Sequence, residues 1–196
     1  MLYPVFMKLE SAPCLVVGGG SVATRKVKGL LAAGAYVTVI SPEVSEPLRD
    51  LADSGKITWR DRTFQPGDLE GCRLVIAATD STATNVMVYE EALARGIPVN
   101  SVDDPDHSSF FVPAVARRGE LAIAISTSGI APYLARRLRQ YLESKLYPGL
   151  EEDLERVRSA RARISATPAS FEEKKRLVER ELEPLVQKIL MEMEGS

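Results

Sequence analysis

The sequence predicts an α/β protein: a Rossmann-like doubly wound parallel sheet, then a small further segment and a helical C-terminal tail. Strand and helix signals alternate through residue 100. A glycine run, Gly18-Gly19-Gly20, stands between the first apolar strand and the first helical pattern. Parallel strands joined by right-handed crossovers need helices on the faces of the sheet, and the alternation supplies them.

In chain order, CLVV at 14–17 is a short apolar run closed by glycines, as suits a buried parallel strand. Residues 21–33 switch to helical spacing, with Val22, Val27, Leu30 and Leu31 on one face and Gly34 as the stop. YVTVI at 36–40 is β-branched and ends at Ser41-Pro42. Residues 43–54 predict a helix through Val44, Leu48 and Leu51, with Pro47 awkward in its first turn. KITWR at 56–60 and LVIAA at 74–78 are strands, 82–95 is a helix, and IPVN at 97–100 is a short fifth strand. FFVPA at 110–114 and LAIAIS at 121–126 are strand-like, joined by Arg117-Arg118-Gly119-Glu120; they either extend the sheet or form a second small layer. Residues 131–146 form a helix with Leu134, Leu138, Tyr141 and Leu142 at helical spacing, and Pro148-Gly149 marks a boundary. Beyond it lie two thin apolar stripes, Leu150, Leu154, Val157, Ile164 and then Phe171, Val178, Leu182, Leu185, Ile189, Met193; Pro184 restarts the second helix. Stripes this narrow need a partner surface, either a sibling domain or a second subunit.

Composition narrows the chemistry. Of 196 residues, 45% are hydrophobic and 27% charged, ordinary values for a globular chain, and the formal charge is -2. A nucleic-acid partner recruited by net charge is not expected. No apolar run is long enough to span a membrane, and the opening MLYPVFMKLE is too interrupted for a signal-peptide core. Cys14 and Cys72 cannot make a disulfide framework, and both read as buried thiols in a reducing cytoplasm. With one histidine, His107, no multi-histidine metal site can be built, so no metal ligands are expected.

Gly18-Gly19-Gly20-Ser21-Val22-Ala23 matches G-x-G-x-x-A between strand and helix. Gly18 allows the tight turn, Gly20 lets the backbone approach a pyrophosphate, and Ala23 permits close helix–strand packing. The acid that usually ends the second strand is missing; Ser41-Pro42-Glu43 stands there. Glu43 or Ser41 can reach a ribose, and Ser41 suits an N-cap equally well. No arginine follows that strand, which favours NAD over NADP. Thr79 and Asp80 end the fourth strand, where they either line the ligand crevice or cap the next helix. Asn100 ends the fifth, and Asp103-Asp104-Pro105 follows it, either a proton acceptor beside a nicotinamide or plain turn chemistry. Ser126-Thr127-Ser128-Gly129 suits an anionic ligand or an ordinary helix start.

Taken together, CLVVGGGSVATRKV (14–27), LVIAATD (74–80), NSVDDPDHSSFFVPA (100–114) and ISTSGIAP (125–132) resemble the precorrin-2 dehydrogenase module of siroheme synthases, in the same order. The resemblance covers about residues 1–145. It implies NAD-dependent oxidation of precorrin-2 to sirohydrochlorin by a homodimer whose interface follows the Rossmann domain. The expected domains are then 1–113 for NAD binding, 114–148 for dimerisation and 149–196 for the helical tail. Asp103 takes the family's functional aspartate, and cofactor contacts map onto Gly20, Ser21, Val22, Pro42 and Glu43. Thr127 stands where some members carry a phosphorylated serine. A substrate with eight carboxylates calls for a local basic rim, with Arg117, Arg118, Arg136 and Lys26 as candidates and Asn100, Ser126, Thr127 and Ser128 as polar contacts. The alternatives are a bifunctional enzyme that also inserts iron, and an NAD-sensing module without turnover.

Overall fold

The run Pro13–Val17 forms β1, the middle strand of a five-stranded sheet in the computed structural model, which describes residues 2–195. Met1 and Ser196, the outer limits of the expected domains, lie outside the described residues. The elements that follow are α1 (Ser21–Ala32), β2 (Tyr36–Ile40), α2 (Glu46–Asp53), β3 (Thr58–Arg60), β4 (Leu74–Ala77), α3 (Thr82–Arg95) and β5 (Val99–Ser101). Every pairing in the sheet is parallel, in the order β3-β2-β1-β4-β5. The chain therefore winds one way from β1 and then reverses to β4, placing a topological switch point between those two strands.

The sheet is buried on both faces because its strands carry apolar side chains at nearly every position. Cys14, Val16, Val37, Val39, Leu74 and Ile76 face Ala23, Val27 and Leu30 of α1 and Leu48 of α2. Leu15, Val17, Ile40, Val75, Ala77 and Val99 face Val88 and Ala92 of α3, with Phe64 and Leu69. Each fully buried valine or leucine here contributes about 1.5–3 kcal/mol. Burial also pushes the Cys14 thiol up to about 11, which keeps it protonated and unreactive at neutral pH.

Three local expectations change. The helix expected from 43 begins at Glu46, with Pro47 in its first turn, where a missing N–H costs nothing. Residues 41–45 are instead tied to their surroundings, with Ser41 Oγ donating to Glu43 O at 2.6 Å and Ser45 N donating to Gly19 O at 2.8 Å. The strand expected at 56–60 shortens to Thr58–Arg60, and 97–100 shifts to Val99–Ser101. No helix joins β3 to β4. That crossover is a loop stapled by Asp68, which accepts from Gln65 N at 2.8 Å and pairs with Arg62 at 2.5 Å.

The contacts divide the chain after Val112. From Pro113 onward, β6 (Ala114–Arg118) and β7 (Leu121–Ile125) form a separate antiparallel hairpin. FFVPA is thus not a strand. Pairing begins at Ala114 and includes Arg117 and Arg118, which leaves Gly119-Glu120 alone as the turn, Gly119 at φ +53°. The rest is helical: α4 (Pro132–Lys145), α5 (Leu150–Ala166), α6 (Phe171–Glu181) and α7 (Glu183–Gly195), with Pro184 in the first turn of α7 as expected. Ser170 and Glu173 close a reciprocal capping box at the start of α6. The core of this unit is Ala116, Leu146 and Leu150, against which Leu121, Ile123, Leu154, Ile189 and Met193 pack.

Candidate functional site

Register brings the strand ends into one row. Arg60 lies opposite Ile40, Ile40 opposite Val17, Val17 opposite Ala77, and Ala77 opposite Ser101. The loops leaving these residues therefore emerge along a single edge, at the carboxyl ends of the strands. In open α/β sheets, ligands occupy the crevice at this edge where the winding reverses.

The glycine loop sits at that crevice, and its three residues face different surroundings. Gly18 has φ +119°, and a Cβ there would lie 2.2 Å from the carbonyl oxygen of Ala78. A Cβ on Gly19 would lie 1.9 Å from Glu43 O, so the middle glycine is also obligatory, for packing against the loop after β2. The spacing motif treats that position as free and so misses it. A Cβ on Gly20 would meet nothing within 4 Å; its face is open. Gly20 is the N-cap of α1, no side chain caps the helix, and no acid lies in its first turn. The helix start thus presents N–H groups and its positive dipole end to an open cradle. Ala23, fully buried, lets α1 lie close on the sheet.

Hydrogen bonds on either side stiffen this cradle. Thr24 Oγ1 donates to Gly20 O at 3.0 Å and lies 2.8 Å from Ser45 Oγ. Across the switch point, Asn85 of α3 reaches back to the loop after β4. Its Nδ2 donates to Thr79 O at 3.0 Å, and its Oδ1 accepts from Thr79 N at 3.3 Å. Thr79 Oγ1 is 2.8 Å from the same Oδ1. Asn85 is buried in an otherwise apolar helix face, and a polar residue at an apolar helical position is the signal that marks it in sequence. The cap of α3 is Ser81, not Thr79 or Asp80: Ser81 Oγ accepts from Thr84 N at 3.2 Å.

Ser41 is buried at the end of β2, while Pro42 and Glu43 beside it are exposed. Ser41 caps no helix; Ser45 occupies the N-cap position of α2 without a side-chain bond. Asn100 and Ser101 end β5 in buried positions, and among the described residues Asn100 Oδ1 and Ser101 Oγ have no hydrogen-bond partner. Asp103 follows in an exposed turn closed by Asp104 N donating to Ser101 O at 3.2 Å, with φ +59° at Asp103 itself. Lys26 of α1 is half-buried; burial and the neighbouring Arg25 charge push its ammonium down, and the carboxylate of Asp103 opposes them. The exposed acid and this lysine are therefore electrostatic neighbours.

Gly18, Gly20, Ser21, Val22, Ser41, Pro42, Glu43, Thr79, Asp80, Asn100 and Asp103 thus share the carboxyl edge of one sheet. Arg117, Ser126, Thr127, Ser128 and Arg136 belong to the second unit, on β6, the β7–α4 loop and α4. There Thr127 Oγ1 accepts from Ala131 N at 3.2 Å, Ser126 Oγ accepts from Ser128 N at 3.2 Å, and Ser128 has φ +52°. Arg117 and Arg136 are exposed, whereas Arg118 spends its guanidinium on Leu146 O.

A parallel sheet with an uncapped helix start at its switch point and an open glycine cradle defines a Rossmann-type dinucleotide-binding protein. Comparison with known proteins agrees. The family model described as "Putative NAD(P)-binding" matches residues 5–114, and that described as "Sirohaem biosynthesis protein central" matches 118–145. The chain belongs to this putative NAD(P)-binding family. It is 45% identical over 177 residues to siroheme synthase 1 of Aeromonas salmonicida (strain A449), covering 90% of this chain and 38% of that one. To the siroheme synthase of Methylobacillus flagellatus it is 50% identical over 141 residues, covering 72% and 30%. The chain thus spans well under half the length of these curated relatives. A solved structure titled "SirC, precorrin-2 dehydrogenase" matches over 100% of both chains, at 28% identity and a TM-score of 0.75.

Proposed function

We propose that this protein oxidises precorrin-2 to sirohydrochlorin with NAD, acting as a cytoplasmic homodimer. The end-to-end likeness to a precorrin-2 dehydrogenase carries the reading. The fit of the crevice to a dinucleotide supports it: an open Gly20, an uncapped helix start and a loop buttressed on both sides. Bound there, NAD supplies the hydride acceptor.

The chain's own groups do the rest. The backbone of Gly18 and Gly20 and the first turn of α1, at Ser21 and Val22, hold the pyrophosphate. Ser41, Pro42 and Glu43 flank the adenosine ribose. Glu43 disfavours a 2′-phosphate by charge, which is why NAD is chosen over NADP. Thr79 and Asp80 wall the crevice beyond β4. Dehydrogenation removes a hydride to the nicotinamide and a proton to a base, and Asp103 accepts the proton. In the first unit Asn100 is a polar contact for the substrate; in the second, taken by itself, Arg117, Arg136, Ser126, Thr127 and Ser128 offer groups suited to carboxylates.

For the dimer, residues 114–148 serve as the joining segment and 149–196 as the helical domain behind it. A two-stranded hairpin is marginal by itself. Next to it α4 exposes Tyr133, Leu134, Leu138 and Tyr141, at 74%, 50%, 40% and 60%. An apolar stripe of this kind marks a protein interface.

The decisive experiment is anaerobic incubation with precorrin-2 and NAD, following NADH and the sirohydrochlorin spectrum, then adding ferrous iron. NADH formation without an iron-dependent product supports a dedicated dehydrogenase. An added siroheme signal would make the protein bifunctional. NAD binding without turnover would overturn the enzyme reading in favour of a sensor.

A further inference from the structure

We infer that Asp104, His107 and Ser108 form a side-chain clamp that holds Asp103 in its left-handed backbone conformation at the sheet edge, with His107 as the positioning residue. The inference rests on the reading of Asp103 as proton acceptor and adds to it the device that aims the carboxylate.

The need for such a device follows from the backbone. Asp103 occupies the third position of the Ser101–Asp104 turn at φ +59°, a place where glycine or asparagine is at ease. An aspartate held there is a strained choice, and strain of this kind persists only where surrounding contacts over-determine it. Those contacts are present. The Asp104 carboxylate accepts twice from one residue: from His107 N at 3.2 Å on Oδ1, and from His107 Nδ1 at 2.7 Å on Oδ2. The ring bond, then the backbone bond, holds the Asp104 carboxyl below the usual carboxylate range. An ionised carboxylate has no proton to give, so the imidazole donates to it from Nδ1. Ser108 closes the other side. Its Oγ donates to Asp104 O at 2.8 Å and accepts from Ser101 N at 3.0 Å. Tyr89 of α3 backs the imidazole edge-on, with ring centroids 5.1 Å apart.

Covering the free edge of β5 accounts for Ser108 at Ser101 but not for the Asp104–His107 pair, because Val99 and Asn100 are met by other residues. Ser109 Oγ accepts from Val99 N at 2.9 Å, Ser109 N donates to Val99 O at 2.8 Å, and Asn100 Nδ2 donates to Phe110 O at 3.1 Å. The Asp104–His107 pair lies beyond those ties, at the apex that carries Asp103.

The test uses the full chain with His107→Ala and His107→Asn. Asparagine places an amide nitrogen where Nδ1 stood, so it restores the bond to Asp104 without the ring. Amide hydrogen exchange across 101–108 is expected to speed up at least tenfold in His107→Ala and to return towards the native rate in His107→Asn. In turnover of precorrin-2, kcat falls about tenfold in His107→Ala with the NAD affinity unchanged, and His107→Asn recovers most of it. Native exchange in His107→Ala overturns the clamp. Faster exchange with native kcat overturns its role in positioning, and so does a His107→Asn variant as slow as His107→Ala. Should the native protein turn over no precorrin-2 at all, the dehydrogenase reading and the positioning role fall together, while the exchange rates still decide whether the clamp exists.

Discussion

Gly18 and Gly20 sit two residues apart in one turn, yet a side chain means something different at each. At Gly18 a methyl group meets the Ala78 carbonyl in a backbone conformation that alanine resists. Gly18→Ala is therefore expected to destabilise the fold by about 3 kcal/mol, read by denaturant unfolding. At Gly20 the space is open, so Gly20→Asp keeps its melting temperature, while the added charge occupies the pyrophosphate cradle. Calorimetric titration should show NAD affinity reduced at least tenfold; unchanged affinity would move the cofactor elsewhere. Asp103 allows a comparably clean separation. Asparagine suits the left-handed region at least as well as aspartate, so Asp103→Asn keeps the turn and removes only the negative charge. Turnover should fall on the order of 100-fold with NAD affinity intact. Native turnover in that variant would strip Asp103 of its role.

At the scale of elements, the helical tail is held by polar as well as apolar contacts. Asp153 of α5 is 3% exposed and accepts from Lys188 of α7 at 2.8 Å, from Tyr147 OH at 2.7 Å and from Arg156 at 3.0 Å. Lys188 first, and Tyr147 next, hold its carboxyl below the usual range, and the same carboxylate pushes the Tyr147 phenol, already raised by burial, up to about 12. A depressed carboxyl stabilises the folded state above the ordinary carboxylate value near 4 and loses that contribution as pH falls through its lower native value. Acid titration followed by circular dichroism should therefore loosen the native tail below about pH 4. Asp153→Asn should be less stable at neutral pH by about 2 kcal/mol and lack that acid-dependent increment. Equal acid sensitivity in both proteins would remove Asp153 from the account. Element type was legible here because α5, α6 and α7 keep helical spacing of apolar residues, and Pro184 falls where a first-turn proline belongs. Element limits were less so. The helix at Glu46 starts late because Ser45 is bonded to Gly19, a partner distant in sequence. The strand at Ala114 starts late because apolar Phe110 packs into the first core instead of pairing.

For the whole molecule, the proposed dimer makes the exposed face of α4 the feature to test. Leu134→Asp with Leu138→Asp should turn a dimer into a monomer in sedimentation velocity while the helical content stays native; a native protein already monomeric would overturn the assembly. Sequence by itself determined the parallel α/β class, the order of strands and helices, and the glycine turn. Each of these depends on local periodicity and on residues whose backbone preferences travel with them. It also carried the chain motifs whose family the comparisons bear out. Only the tertiary structure decided which loops meet at the crevice: Asn85 bound to Thr79, Ser45 to Thr24, Ser108 to Ser101. It alone revealed that Gly19 is pinned against Glu43 and that Asp103 takes a left-handed turn. The physical reason is that a hydrophobic pattern records how deeply each residue is buried, whereas a hydrogen bond between distant residues depends on strand register and helix docking, which no local pattern encodes.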